Sequence, residues 1–375
     1  MITIKEVKTK REIQEFCDLP NKMYRGNKYY IPPLYMDEKA IFTKKNIYNE
    51  SCDQVFYLAY KDGKAVGRIQ GIIQKDYNRI HNEKRARFTR FDSINDLEVS
   101  NALFSAFQKW AKEKEMDTLC GPLGYSDLER EGLLIEGFEE LCTFEEQYNY
   151  PYYQSLIESF GFMKEVDWVE SYITFDESKK DKIEAITKRI MESKNLHYVT
   201  RLKGESKSHF IDRVTPGVFY LIDEGYKKLY GTMPFTDKMK ESIISEFKLF
   251  IDPKYVCIVA DQNERYLAFG LAFPAFGEAL QKSGGKLTPG CIFRLLKLIK
   301  HPRGVDLGLT AVDPDYLNSG VNAPVMKLIM EIFTVHKMEY VQTNLNLEDN
   351  VKIRAFWKYF NENQNKRRRS FIKKI

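Results

Sequence analysis

A chain of 375 residues is longer than one hydrophobic core usually serves, so two domains of roughly 170 to 200 residues are expected. With 43% hydrophobic, 14% aromatic and 30% charged residues, it lies far from the disordered class. The balance of 58 basic against 53 acidic side chains leaves only +5, which suits an anionic small ligand and argues against a dedicated nucleic-acid binder.

No stretch approaches the ~20 apolar residues of a membrane span, and the opening MITIKEVKTKREIQEF has no apolar signal core. A cytoplasmic location without a membrane partner is therefore expected. The six cysteines form no CxxC pair and are expected to be reduced and mostly buried. The five histidines show no metal-ligand spacing, so no metal is expected.

In chain order, residues 2–7 read as a strand, followed by a helix carrying Ile13, Phe16 and Cys17, and a loop at 27–34 broken by Pro32 and Pro33. Residues 55–60 and 65–74 form a hairpin, because Asp62-Gly63 supplies the positive φ angles of a tight turn. A strand at 85–91, a helix at 97–114 and a short strand ending in Leu119-Cys120-Gly121-Pro122 come next. A tyrosine-rich segment then opens a helix that stops at Gly161, and 169–175 alternates like a closing strand.

The charged turn at 176–181 places a boundary near residue 178. Beyond it lie helical patterns at 182–194, 210–229 and 236–250, then a second hairpin pairing 256–260 with 266–273. An insertion at 278–303, a strand at 305–312, a helix at 323–337, a strand at 340–345, a helix at 350–360 and a basic strand at 367–373 complete the chain. The order of elements repeats, which marks a diverged internal duplication.

Hairpin, strand, helix, strand, short helix ending near Gly-Phe, and last strand resemble, twice over, the GNAT (GCN-related N-acetyltransferase) fold. Locally, GPLGYSDLEREGLLIEGFEE (residues 121–140) and YNYPYY (148–153) are similar to an uncharacterised group of bacterial GNAT-like proteins. The resemblance implies an α/β (α+β) chain of two tandem domains, residues 1–178 and 179–375. Each would be a mixed, mostly antiparallel sheet flanked by helices.

In that family a Q/R-x-x-G-x-G/A loop after the fourth strand holds the coenzyme A pyrophosphate on backbone amides at a helix start. The second domain offers Val312 followed by Leu317-Asn318-Ser319-Gly320-Val321-Asn322, in which Gly320 matches the first glycine while Leu317 and Asn322 depart from the pattern. The resemblance thus implies acetyl-CoA or another acyl-CoA at Val312, Asn318, Ser319, Gly320, Val321 and Asn322. An ordinary strand-to-helix turn is the plain alternative. The first domain has Phe91-Asp92-Ser93-Ile94-Asn95-Asp96 at that place, without glycine, where Asn95 or Asp96 suits a helix cap.

The family's tyrosine acid is not kept in either copy: Trp357 stands at its position, and Tyr359 is the near neighbour. Acyl transfer to an amine also needs a base. Glu131, Glu136 and Glu145 lie where family substrates approach, with solvated surface the alternative for each. Glu136 and Tyr359 are the catalytic candidates, and Tyr150, Tyr152 and Tyr153 the substrate-binding ones, with ordinary packing the alternative. The basic run Lys366 to Arg369 is expected on a solvated strand edge. The function implied is acyl-CoA-dependent acylation of a small-molecule or peptide amine. The rival is a non-catalytic binding or interaction protein that kept the fold.

Overall fold

The computed structural model describes residues 1–44, 46–248, 250–350, 353 and 356–375. The chain forms two compact units along a discontinuous path. Met1–Val169, Phe276–Leu295 and Asn365–Ile375 make the first, and Glu170–Ala275 with Leu296–Gln364 the second. The passage between them falls inside a strand rather than in the charged turn near 178, and two later segments return to the first unit.

The first unit contains β1 (Ile2–Glu6), α1 (Lys10–Met23), α2 (Tyr35–Ala40), β2 (Cys52–Lys61), β3 (Lys64–Gln74), α3 (Lys75–His81), β4 (Arg85–Ser93), α4 (Leu97–Glu113), β5 (Thr118–Gly121), β6 (Leu133–Glu136) and α5 (Tyr153–Ser159). β7 (Met163–Thr174) carries the chain onward. Thr9 and Glu12 form a reciprocal capping box at the start of α1, and the Asp96 carboxylate caps α4 as expected. Asp62 and Gly63 turn the β2–β3 hairpin with φ of 51° and 77°. α4 lies close against β3 because Gly67 and Gly71 leave room for it: a Cβ on Gly71 would stand 2.7 Å from the Phe107 ring.

Next in sequence are α6 (Lys180–Ser193), β8 (His197–Tyr198), α7 (Lys207–Tyr226), α8 (Asp237–Phe247), β9 (Val256–Ala260), β10 (Tyr266–Pro274), α9 (Glu278–Gln281), α10 (Pro289–Lys300), β11 (Gly304–Val312), α11 (Ala323–Thr334), β12 (Tyr340–Gln342), β13 (Asn346–Leu347) and β14 (Asn361–Lys374). The helix expected over 350–360 includes residues 351, 352, 354 and 355, which lie outside the described residues. α9 and the start of α10 belong to the first unit. There the Gln281 side chain donates to the Lys28 and Tyr30 carbonyls at 2.9 and 3.0 Å, and Tyr35 N–H donates to the Gly285 carbonyl at 3.0 Å.

Each unit has a mostly antiparallel sheet flanked by helices, and the two sheets repeat one plan. β1–β2–β3–β4 are antiparallel neighbours with β5 parallel beside β4; β8–β9–β10–β11 are antiparallel with β12 parallel beside β11. The parallel ladders cover Arg85–Arg87 against Thr118–Cys120, and Gly304–Asp306 against Tyr340–Gln342. Beyond those residues β4 and β11 run on without their parallel partners, to Ser93 and Val312. Both carry a bulge there: Arg90 and Phe91 face Ile69, and Gly308 and Leu309 face Leu271.

The closing strands are exchanged. In the first unit the end of β14 pairs antiparallel with β5, Phe371 opposite Gly121, and with β6, Arg369 opposite Leu133. In the second, the end of β7 pairs antiparallel with β12, Ile173 opposite Val341. The basic strand at 367–373 therefore does not close the second sheet, and its charges are not solvated. Lys366 and Arg368 are 1% and 0% exposed, Arg369 grips Asp167 at 2.7 and 2.9 Å, and Arg367 meets the same carboxylate at 3.3 Å. A strand inside a sheet must neutralise such side chains, and Asp167 and Glu146 supply the charge. All six cysteines are buried and none is in a disulfide, as expected.

Two outcomes follow from the exchange. Residues 1–178 expressed alone lack the strand that covers β5 and β6, so they are expected to be insoluble or largely unfolded, and a separate peptide of residues 361–375 restores solubility and far-UV circular dichroism. Phe371→Ala, at a side chain of 0% exposure, is expected to cost about 3–5 kcal/mol in urea denaturation, with amide-exchange protection falling in β4 and β5.

Candidate functional site

β3 alternates small or apolar residues (Gly67, Ile69, Gly71, Ile73), turned to α4, with Arg68, Gln70 and Gln74, which are buried on the other face. That face carries a charged network. The Arg68 guanidinium meets Asp92 at 2.7 Å and Glu38 at 3.3 Å, and Arg90 meets Glu38 at 2.9 Å and Gln70 at 2.8 Å. Burial alone would raise the Glu38 carboxyl, but Arg90 and Arg68 outweigh it and hold it down at about 2. Arg90 has φ of 46°, so the bulge of β4 turns its side chain into this cluster.

Tyr150, Tyr152 and Tyr153 lie beside it, packed with Tyr24 and Tyr148. Tyr153 donates to Asp92 at 3.3 Å and accepts from Tyr24 at 2.9 Å and from the Ser93 N–H at 3.2 Å. Tyr152 donates to the Ser93 carbonyl at 2.8 Å, and Tyr150 to the Met23 carbonyl at 3.1 Å. Their hydroxyls are engaged within the unit, and those of Tyr152 and Tyr153 close over the free end of β4.

The three glutamates weighed as bases part company, Glu145 being half-buried. Glu136 sits at the exposed end of β6, 62% accessible, with Arg367 at 3.4 Å across the strands. Glu131 is 7% exposed rather than on the surface. Burial first, then Asp127 and Glu146, push its carboxyl well above the usual range, against a pull from Arg87. A carboxyl raised in this way holds its proton more tightly than an exposed one. The sequence hides it because Glu131 lies in a loop, where polarity reads as solvent.

In the second unit β11 ends at Val312, half-buried, and Asp313 is held by Arg265 at 2.9 Å. The chain then turns through Asn318 and Gly320 with φ of 63° and 84° and enters α11. Asn318 is exposed, Ser319 and Gly320 are half-buried, and Val321 is buried. The Ser319 hydroxyl donates to the Tyr316 carbonyl at 2.6 Å. Among the described residues no carbonyl accepts from the N–H of Gly320, Val321 or Asn322, leaving a run of donors at the helix start. Pro324 inside the first turn has no N–H to offer. α6 braces the loop: Ile190 lies where a Gly320 Cβ would fall, at 2.9 Å, and the Thr187 hydroxyl donates to the Ala323 carbonyl at 3.1 Å.

Tyr359 is half-buried with the Lys182 ammonium 5.4 Å from its ring centroid, and Trp357 is buried in the second core. Among the described residues no cluster of three or more His, Cys, Asp or Glu side chains is gathered to hold a metal ion.

The buried charges give two opposite pH signatures. Glu38 has a folded pKa below its unfolded value, so its contribution is present above pH 4.5 and lost as pH falls towards about 2. Glu38→Gln is expected to lose about 3–5 kcal/mol at pH 7 and to flatten that acid limb in urea titrations. Glu131 is raised, so its protonated form contributes fully below pH 4.5 and less as pH rises. Glu131→Gln is therefore expected to melt higher than wild type at pH 8 and level with it at pH 4.

With this geometry in view, comparison with known proteins is informative. No family model matches the chain. Protein YghO of Escherichia coli is 23% identical over 377 residues, covering 98% of this chain and 94% of its own. A bacterial ceramide synthase of Caulobacter vibrioides is 24% identical over 303 residues, covering 80% and 77%. Among solved structures, a tandem GNAT protein from the clavulanic acid biosynthesis pathway superposes over 100% of this chain and 98% of its own, with a TM-score of 0.55 and 11% identity. The repeated strand plan, the two bulged fourth strands and the full-length superposition make this chain, by fold, a tandem GNAT-like protein.

Proposed function

We propose that the chain is an acyl-CoA-dependent N-acyltransferase, with the acyl-CoA pyrophosphate on the loop 317–322 of the second unit. The observation that carries this reading is local. β11 parts from β12 after Asp306, bulges, and delivers the chain through Asn318 to Gly320, Val321 and Asn322, whose N–H groups, just before α11, have no carbonyl acceptor among the described residues. Such a run of N–H groups favours a phosphate anion.

In the reaction the amine nitrogen attacks the thioester carbonyl carbon, the C–N bond forms, the C–S bond breaks, and coenzyme A leaves as the thiol. One proton passes from the amine to a base and one is needed by the sulfur. Tyr359 is the hydroxyl that the second unit offers to the sulfur. For the acceptor, the ceramide synthase relative supports a long-chain amino alcohol, since a ceramide is the N-acyl derivative of one. The first unit supports the rival reading for itself alone, because Tyr152, Tyr153, Asp92 and Arg68 occupy the free end of its fourth strand.

The test is an amide-forming assay with acyl-CoA donors of two to sixteen carbons and a panel of amines that includes a long-chain amino alcohol, read by mass spectrometry and thiol release. Asn318→Asp keeps the left-handed backbone and adds one negative charge to an exposed loop position. It is expected to weaken acyl-CoA binding roughly 5-fold or more with the melting temperature unchanged, while Asn318→Gly stays near wild type. Gly320 is unsuited to this purpose, because its φ and Ile190 make any side chain there a folding defect. No amide with any amine, together with no calorimetric binding of coenzyme A, would sink the reading.

A further inference from the structure

α10 has two apolar faces. Cys291 and Leu295 are buried, as a helix of a folded unit requires. Yet Ile292 and Phe293, with Leu296 one turn further on, are 45%, 71% and 57% exposed on the other side, and Leu287 just before the helix is 42% exposed. Burying such side chains favours the folded state, so three adjacent ones held in water mark a surface made for something else.

The charges around them say what. Between Glu278 and Asp306 the chain has no acidic residue, and it carries Lys282, Lys286, Arg294, Lys297, Lys300 and Arg303. Arg303 is paired with Glu339, and Lys286 lies near Asp18 and over the Tyr35 ring. Lys297 and Lys300 stand on the exposed side of the helix, one turn on from Phe293 and Leu296, and Lys282 is exposed in the approach to it. Interface cores between proteins are depleted of lysine, whereas lysines with long stems beside Phe, Leu and Ile fit the boundary between anionic headgroups and acyl chains.

We propose that the exposed face of α10 docks the protein on an anionic lipid surface, Phe293, Leu296 and Ile292 entering the acyl boundary and Lys297, Lys300 and Lys282 meeting the headgroup phosphates. The docking stands on this helix and not on acyl transfer. It adds to the acceptor reading by giving the protein a place where long-chain amines partition. No helix of the described chain is long and apolar enough to span a bilayer, so the expectation of no membrane partner narrows to the absence of such a helix.

The experiment is co-sedimentation of the full chain, without donor or acceptor, with vesicles of phosphatidylcholine alone or mixed with 30% phosphatidylglycerol, at low and at high salt. Expected are binding to the anionic vesicles, weakening at high salt, at least a 10-fold loss in Phe293→Ser/Leu296→Ser, and roughly 5-fold per charge in Lys297→Gln and Lys300→Gln. Phe293→Trp should shift its emission to the blue on those vesicles only. Absence of binding, binding untouched by the serine pair, or a wild-type dimer that the serine pair turns into monomer would each overturn the proposal, the last by assigning the face to a second copy. A failed amide assay leaves these readouts unchanged, so the two readings fall separately.

Discussion

Everything else in this chain depends on where its two closing strands go. β5 of the first unit is covered by the last residues of the polypeptide, and β12 of the second by the end of β7, so neither sheet is completed by its own stretch of sequence. The pairing is costly to misplace, because β14 brings Lys366, Arg367, Arg368 and Arg369 into the first unit, and these charges are tolerated only opposite Asp167, Glu146 and the loop carbonyls that await them. Ionic complementarity here fixes register more than it adds stability.

On that shared frame the two copies have diverged by filling the same feature differently. Both fourth strands leave their parallel partner after three residues and both bulge. In the first unit the bulge turns Arg90 into a closed set of ion pairs with Tyr24 and Tyr153 overhead. In the second, Gly308 takes the bulge, and the strand runs out into a turn built from Asn318 and Gly320. One copy has spent its polar face on internal satisfaction; the other keeps donors at a helix start. A duplicated fold can thus fill the free end of one fourth strand with its own side chains while the twin runs out into a turn.

Much of the fold was legible. The Asp-Gly hairpin, the capped α4, the apolar period of α11 and the repetition itself depend on neighbours within a few residues, where spacing carries the information. The strand exchange was not, because β7 and β14 look like any closing strands and their choice of partner is made across more than a hundred residues. The same limit hid the charged network: Arg68 and Gln70 read as the solvent side of a strand until a second layer covers them. Glu131 was visible as a carboxylate, but its burial is a property of the loop around it. At the loop 317–322 the sequence pointed to the right kind of turn through Gly320, while the φ of Asn318 and the brace of Ile190 come only from the folded chain.

The exchanged strand also sets an order in time. During synthesis β5 emerges early with its edge uncovered, and β14, which covers it, is made only after the strands of the second unit. The first unit must therefore wait, while β8 to β13 are made, before its sheet can close. A chain interrupted before β14 would therefore carry its defect among the earliest strands, as an uncovered edge open to wrong pairing.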